Sequence, residues 1–349
     1  EFGRSVAIYG DTIIVGAPWD DDNGKNSGSV HVFVRSGEEW THQTKLFAPG
    51  GAFDYFGKSV AIYGDVIVVG ASWDNFNGDD SGSAHVFVRS REEWEHQAKL
   101  MAPDVAADDY FGEIVDIHED TIVVGAYGES DNGEVSGSAH VLSAHVFVRS
   151  GNAKLLAPDG ALRDKFGESV AIYGDEIVVG AKGDDLNHFL LGSNSGSAHV
   201  YVRSEEEWTH QAKLLAPDGS VGDYFGEGVA IYEDTIVVGA PNGGDNVSGS
   251  GIVIVDDWGD DNGDDSGSAH VFVRSGKEWT YQAKLLSPDG AANEYFGSST
   301  AIYDNSIVVG AYGDDDNGFN SGSAHVIVRD GEDWKHQAKL LAPDGTAYD

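Results

Sequence analysis

The chain has 349 residues and no cysteine, with 21 Lys plus Arg against 59 Asp plus Glu, a formal net charge of −38. That field repels nucleic-acid phosphates and anionic lipid and attracts cations or basic partners; no apolar run approaches a membrane span, so neither nucleic acid nor direct membrane insertion is expected. Disulfides contribute nothing, and a chain this long must either split into domains or divide its core among repeated units.

Repetition decides between those options. The pair Phe2-Gly3 returns as Phe56-Gly57, Phe111-Gly112, Phe166-Gly167, Phe225-Gly226 and Phe296-Gly297, at spacings of 54, 55, 55, 59 and 71. The pair Gly16-Ala17 returns at Gly70, Gly125, Gly180, Gly239 and Gly310. In the first unit four short runs rich in β-branched and aromatic residues follow one another: Ser5–Tyr9, Thr12–Ala17, Ser29–Val34 and Trp40–Phe47. Gly10-Asp11 and Ser36-Gly37 supply tight turns between them. Near-continuous apolar character in such strands implies sheets covered on both faces, the environment of a propeller blade.

The predicted fold is therefore all-β: a single β-propeller domain over 1–349, with four-stranded antiparallel blades and six repeats at about 1–54, 55–109, 110–164, 165–223, 224–294 and 295–349. Unit three duplicates a fragment, Ser138–Val141 and then Ser143–Val146, and lacks the Trp that opens the fourth strand elsewhere. Unit five carries an added segment at 248–265, which gives six blades, or seven if that segment completes a partial blade. The chain opens at Glu1 without Met or an apolar leader and reads as a fragment of a larger protein.

The Phe-Gly and Gly-Ala-Pro signature, followed by Ser-Gly-Ser-x-His-Val-Phe-Val-Arg and Gln-x-Lys-Leu, resembles the FG-GAP repeat family, including the N-terminal propeller of integrin α subunits and bacterial and algal variants. The resemblance covers essentially the whole chain. It implies an extracellular or cell-surface propeller used for adhesion or recognition, usually seven-bladed, with calcium in blade loops. In integrin-like members the calcium loop lies between the Phe-Gly and Gly-Ala-Pro segments, where this chain has only Tyr9-Gly10-Asp11 and its equivalents, so those ligands do not carry over by position.

Acidic loops occur instead between the second and third strands. The candidate metal ligands are Asp20, Asp21, Asp22 and Asn23; Asp74, Asn75 and Asn77; Asp131 and Asn132; Asp184 and Asp185; Asp260, Asp261 and Asn262; and Asp314, Asp315, Asp316 and Asn317. Oxygen-only ligands suit calcium. Two carboxylates about 5 Å apart repel by roughly 3 kcal/mol at an effective dielectric near 20, so a compact loop calls for a cation and a splayed one does not. Blade topology puts these loops on the same face as the connections between units, which carry Asp104, Asp108, Asp109, Asp159, Asp164, Asp218 and Asp223. One intensely acidic interaction face follows.

Third-strand histidines at His31, His85, His140 or His145, His199, His270 and His325 read as inter-blade hydrogen bonds rather than metal ligands. Trp40, Trp94, Trp208, Trp279 and Trp334 read as blade-to-blade core or rim, while Trp19, Trp73 and Trp258 sit beside Asp and Asn as a sugar pocket would require. The repeat-breaking residues His118, Glu119, His188, Asp256 and Asp257 form no nucleophile and base pair, and no Gly-x-Ser-x-Gly elbow is present. The expectation is a calcium-stabilised adhesion or protein-interaction module, not an enzyme, that meets a protein or glycan on a cell surface or in an extracellular assembly. A lectin-like propeller is the alternative, and self-assembly through divalent ions is a further use of an acidic face.

Overall fold

The computed structural model describes residues 2–104, 106–131, 135–143, 153–185, 194–205, 207–243 and 265–343. Asn132, His145, His188, Asp256, Asp257, Trp258, Asp260, Asp261 and Asn262, together with 248–264 of the added segment, lie outside them.

The described residues are all-β and form six four-stranded sheets, each a blade of a β-propeller. Blade 1 comprises β1 (Ser5–Tyr9), β2 (Thr12–Ala17), β3 (Ser29–Ser36) and β4 (Glu39–Leu46); blade 2 comprises β5 (Val60–Tyr63), β6 (Val66–Ala71), β7 (Ser83–Ser90) and β8 (Glu93–Leu100). Blade 3 comprises β9 (Val115–His118), β10 (Thr121–Ala126), β11 (Ser138–Ser143) and the short β12 (Ala153–Leu155), and blade 4 comprises β13 (Ser169–Tyr173), β14 (Glu176–Ala181), β15 (Ser197–Ser204) and β16 (Glu207–Leu214). Blade 5 comprises β17 (Val229–Tyr232), β18 (Thr235–Ala240), β19 (Ser268–Ser275) and β20 (Glu278–Leu285); blade 6 comprises β21 (Phe296–Tyr303), β22 (Ser306–Ala311), β23 (Ser323–Asp330) and β24 (Asp333–Leu340). Every sheet runs in simple chain order. The predicted hairpins hold, with Gly10-Asp11 joining β1 to β2 and the turn after Ser36 joining β3 to β4.

The chain divides into two compact units: Glu1–Glu176 with Val202–Thr209, and Ile177–Tyr201 with His210–Asp349. In the first, Ile14, Val30, Val32 and Leu46 of blade 1 pack against Phe56, Val60, Ile62, Ile67, Val69, Phe87 and Trp94 of blade 2. Ala61, Val68, Ala84 and Val86 on the other face of blade 2 meet Phe111, Val115, Ile117, Ile122 and Val124 of blade 3. In the second unit Val237, Ala269, Val271 and Leu285 of blade 5 meet Phe296, Ile307, Val309, Ile327 and Trp334 of blade 6. Each fully buried Ile or Phe contributes about 1.5–3 kcal/mol, so within each unit the stacked blades stabilise one another.

The repeating motif is the joint between blades. Phe56 is fully buried, and its backbone N–H donates to Ser27 O of the preceding blade at 3.1 Å. Two glycines make room for it. A Cβ on Gly28, where φ is +78°, would lie 2.0 Å from Phe56 O, and a Cβ on Gly16 would lie 2.1 Å from Gly57 O. A β-bulge opposite Val32/Phe33 turns out Gln43, whose Oε1 accepts from Trp94 Nε1 of blade 2 at 3.3 Å while its Nε2 donates to Glu92 O at 2.9 Å. Trp334 and Gln282 repeat this bond at 2.9 Å, so the fourth-strand tryptophans take the blade-to-blade position expected of them.

Candidate functional site: the acidic loop face

The loop after β2 folds inward around one carboxylate. Asp20 Oδ1 accepts from Asp22 N at 2.9 Å, and Asp20 Oδ2 accepts from Ser29 Oγ at 3.0 Å and from Lys45 Nζ of β4 at 2.5 Å. Blade 2 repeats this at Asp74, with Phe76 N at 2.9 Å, Ser83 Oγ at 2.7 Å and Lys99 Nζ at 2.5 Å. Blade 6 repeats it at Asp314, with Asp316 N at 2.9 Å, Ser323 Oγ at 2.7 Å and Lys339 Nζ at 2.6 Å. In blade 4 Asp184 takes Ser197 Oγ at 2.6 Å and Lys213 Nζ at 2.5 Å. Blade 3 substitutes a longer acid, Glu129, bonded to Ser138 and Lys154.

Burial pushes Asp20, Asp74 and Asp314 toward the neutral form, but the ammonium, the serine hydroxyl and the backbone N–H outweigh it and hold all three below the usual carboxylate range. A cation therefore does sit in each compact loop, and it is the repeat's own lysine. The Gln-x-Lys-Leu run carried that signal in the sequence: one Lys per repeat in a chain with few basic residues.

The remaining candidate ligands divide by role. Asp21, Asn75, Asp185 and Asp315 each accept a backbone N–H across the loop, from Asn26, Asp80, Asn194 and Asn320 at 2.6–2.8 Å. Asn23 and Asn317 donate to Ala48 O and Ala342 O, and Asn77 contacts Met101 Sδ, so these amides tie the loop to the connection after the fourth strand. Asp22, Asp131 and Asp316 lean on the lysines, each 2.6 Å from Lys45, Lys154 or Lys339.

The two loop families share a face, as the topology required. Lys154 Nζ reaches both Asp131 of the acidic loop and Asp104 of the connection between blades at 2.7 Å, and Lys339 reaches both Asp316 and Asp289 at 3.0 Å. One expectation fails here: Asp109, Asp164 and Asp223 are buried, not displayed. Each caps its own connection by accepting a backbone N–H, from Ala106, Ala161 and Ser220 at 2.5–2.6 Å. Asp54 does the same with Gly51, and desolvation raises both Asp54 and Asp109.

The histidines also differ from expectation, since their bonds stay within a blade. His85 lies between Ser83 Oγ at 3.2 Å and His96 Nε2 at 3.0 Å, with its ring edge-on to Phe56. The antiparallel register of β7 and β8 sets His85 beside its fourth-strand partner, and desolvation, then His96 and Lys99, pushes its pKa down to about 3. His31–His42, His199–His210 and His325–His336 repeat the pair at 3.1 Å. In blade 5 Tyr281 replaces the partner, and His270 Nδ1 is left without one.

Trp19 and Trp73 stand in an aromatic row on the first unit. Trp19 meets Tyr55 edge-on at 6.1 Å, Tyr55 meets Trp73 at 5.0 Å, Trp73 meets Tyr110 at 6.2 Å, and Tyr110 stacks on Tyr127 at 5.1 Å. The repeat-breaking His118 takes the place of a tyrosine in a second row, between Tyr63 at 4.9 Å and Tyr173 at 4.8 Å. Sequence reasoning passed over Asp116, which stands where the other repeats have Ala. Its carboxylate accepts from Ile117 N at 2.8 Å and from Ile172 N of the following repeat at 2.9 Å, and burial pushes its pKa up to about 6.

Among the described residues two clusters have the composition to hold a metal ion: Asp104, Glu129 and His140, and Asp159, Asp184 and His199, with candidate ligand atoms within 4.8 Å of one another in each. Lys154 and Lys213 reach into these same carboxylates. A divalent ion would compete there with the lysine ammonium for the same carboxylates.

Four-stranded antiparallel blades joined by Phe-Gly define a β-propeller of the kind commonly used as a protein-interaction module. The chain belongs to the FG-GAP repeat family, whose repeat matches residues 1–33, 40–87, 94–142, 150–201, 208–255 and 279–327. Repeats of this family are typically found in extracellular or surface proteins. No curated protein matches the chain.

Proposed function

We propose that this protein is a non-enzymatic adhesion or recognition module of the cell surface or extracellular space, which engages a basic protein partner through the acidic loop face. The observation that carries the reading is the division of labour among the carboxylates. Asp20, Asp74 and Asp314 are drawn in against serine and lysine, while Asp21, Asp22, Asp315 and Asp316, each bonded within its own loop, stay exposed to solvent. A preformed acidic surface speeds encounter with a cationic patch and fixes its register. Calcium belongs to this reading as a competitor for the loop lysines, raising the thermal midpoint by mass action where it binds.

An array of extracellular proteins and glycans, probed with and without calcium, tests the proposal. Binding to basic proteins that the combined Asp21→Asn, Asp22→Asn, Asp315→Asn and Asp316→Asn variant loses supports it; binding indifferent to those changes refutes it. The aromatic row from Trp19 to Tyr127 favours one second reading, a lectin-like surface. Glycan capture lost in Trp73→Ala would establish that instead, because an exposed indole face stacks on sugar rings.

A further inference from the structure

In the first unit the opening strands of neighbouring blades lie side by side. Val115 N of β9 donates to Ser59 Oγ, just before β5, at 3.0 Å, and Ile172 N of β13 donates to Asp116 Oδ2 at 2.9 Å. Each of these strands ends on a ring, Tyr9, Tyr63, His118 or Tyr173, at the end of the sheet away from the acidic loops. The four rings form one continuous arc, with centroids 4.9, 4.9 and 4.8 Å apart and successive planes inclined at 48°, 51° and 52°. The near-equal steps and tilts come from one ring per repeat at one strand position. Tyr9 is 42% exposed, and the other three rings are partly exposed.

Carboxylates surround this arc. Where the other units read Ala-Ile-Tyr, blade 3 reads Asp116-Ile117-His118 and follows it with Glu119. Glu119 keeps φ +52°, a left-handed conformation that Gly10, Gly64 and Gly174 hold at +56° to +58° and that disfavours a residue with a Cβ. Its field reaches two of the rings. Burial, then Tyr9 and Glu119, push the Tyr63 hydroxyl above its usual range; burial outweighs Glu119 at His118 and holds it below its own, so the imidazole is neutral near pH 7. Asp11, Asp65, Asp120 and Asp175 stand exposed at the same turns. Arg35 and Arg203 answer Asp11 and Asp175 at 2.8 and 2.7 Å, with their guanidinium groups over Trp40 and Trp208. Among the described residues no Lys or Arg lies over Tyr9, Tyr63 or His118. The second unit repeats the combination by itself: Tyr232 and Tyr303 lie 5.0 Å apart, and each is followed by an acid at positive φ, Glu233 and Asp304.

We propose that the arc of Tyr9, Tyr63, His118 and Tyr173 is a binding site for a small quaternary ammonium compound. Aromatic faces attract a cation through their quadrupole, and the turn carboxylates add a long-range field of the same sense. A quaternary ammonium suits this chemistry because it is weakly hydrated and donates no hydrogen bond. It leaves water cheaply and asks no acceptor of rings whose hydroxyls already bond one another, as Tyr63 does with Tyr9. A primary ammonium would leave N–H donors unmet over the same rings.

Titration with choline chloride at low ionic strength, followed by calorimetry and by the aromatic proton resonances, tests this. Choline should bind saturably with a Kd on the order of 1 mM. Its uncharged tert-butyl analogue, of the same shape, should bind about 10-fold more weakly or not at all. Tyr63→Leu should weaken choline binding about 5-fold or more, while Tyr63→Phe, which keeps the ring, retains it. Glu119→Gly restores the residue found at this turn in three other repeats, relieves the backbone, and should weaken binding about 2-fold or more. Trp73→Ala, on the loop face, should leave the affinity unchanged. Absence of saturable binding, equal affinity for the uncharged analogue, or wild-type binding by both Tyr63→Leu and Glu119→Gly would overturn the proposal. Loss of binding in Trp73→Ala would overturn it as well, by moving the site to the loop face.

Discussion

Replacing Lys99 with Met keeps most of the apolar stem and removes the charge that Asp74 needs. Asp74 is buried, and its Oδ2 lies 2.5 Å from Lys99 Nζ. At that separation the gross attraction is roughly 7 kcal/mol at an effective dielectric near 20. Lys99 keeps partial contact with solvent, and Ser83 and Phe76 still donate to Asp74, so the expected net loss is smaller, about 2–3 kcal/mol. The pH dependence gives the signature. In the wild type the Asp74 pKa is lowered from 3.8, so its contribution is present above that value and lost as pH falls through the folded pKa. Without Lys99, burial dominates and raises the pKa, which turns the contribution into a penalty that appears as pH rises past 3.8. Urea unfolding from pH 3 to pH 8 should therefore show a gap between wild type and Lys99→Met that opens through pH 4 and is widest near neutrality. Calcium should narrow that gap by supplying the missing positive charge. Equal midpoints at pH 7, or a gap unchanged down to pH 3, would refute the assignment of the lysine as the loop's counter-ion.

Three further outcomes follow from local geometry. Tyr281→His restores the partner that His270 Nδ1 lacks and should stabilise the protein by about 1 kcal/mol in chemical unfolding. Asp116→Asn removes the carboxylate whose pKa burial raises from 3.8 to about 6. A raised carboxylate pKa costs stability as pH climbs from the unfolded value to the folded one, so the stability of the variant relative to wild type should rise by about 3 kcal/mol between pH 4 and pH 8, on top of a pH-independent loss because the amide nitrogen cannot accept one of the two backbone N–H groups; parallel profiles would count against this. Gly82→Ala should cost at least about 3 kcal/mol, because the new methyl meets the Phe111 carbonyl. Gly37→Ala, with a similar φ of +66° and nothing within 4 Å, should cost only about 1 kcal/mol by the same thermal or urea measurement.

How much of the site was legible depended on the range of the interaction. The blade plan was legible because turns and strand periodicity are local: Gly10-Asp11 closes its hairpin, and the apolar runs of β2 and β10 mark strands covered on both faces. The shared face of the two loop families was legible for the same reason, since chain order alone places them. The partners inside that face were not. Lys45 and Asp20 lie 25 residues apart and meet because β3 and β4 pair in one register, with a bulge between Val32 and Phe33. A one-residue slip would turn Lys45 to the opposite side of its strand. For the same reason a spacing of 11 residues joins His85 to His96 within a blade, where periodicity alone suggested a bond between blades.

The sequence by itself determined the repeat, the strands and the acidity of the loops, because each rests on local chemistry written within a few residues. Only the tertiary structure decided which acids are buried as scaffold and which stand at the surface. Asp109, Asp164 and Asp223 read as surface charge in the sequence, yet they disappear into their own connections. The pKa and availability of a carboxylate are set by the donors and the solvent around it, and here folding brings those together.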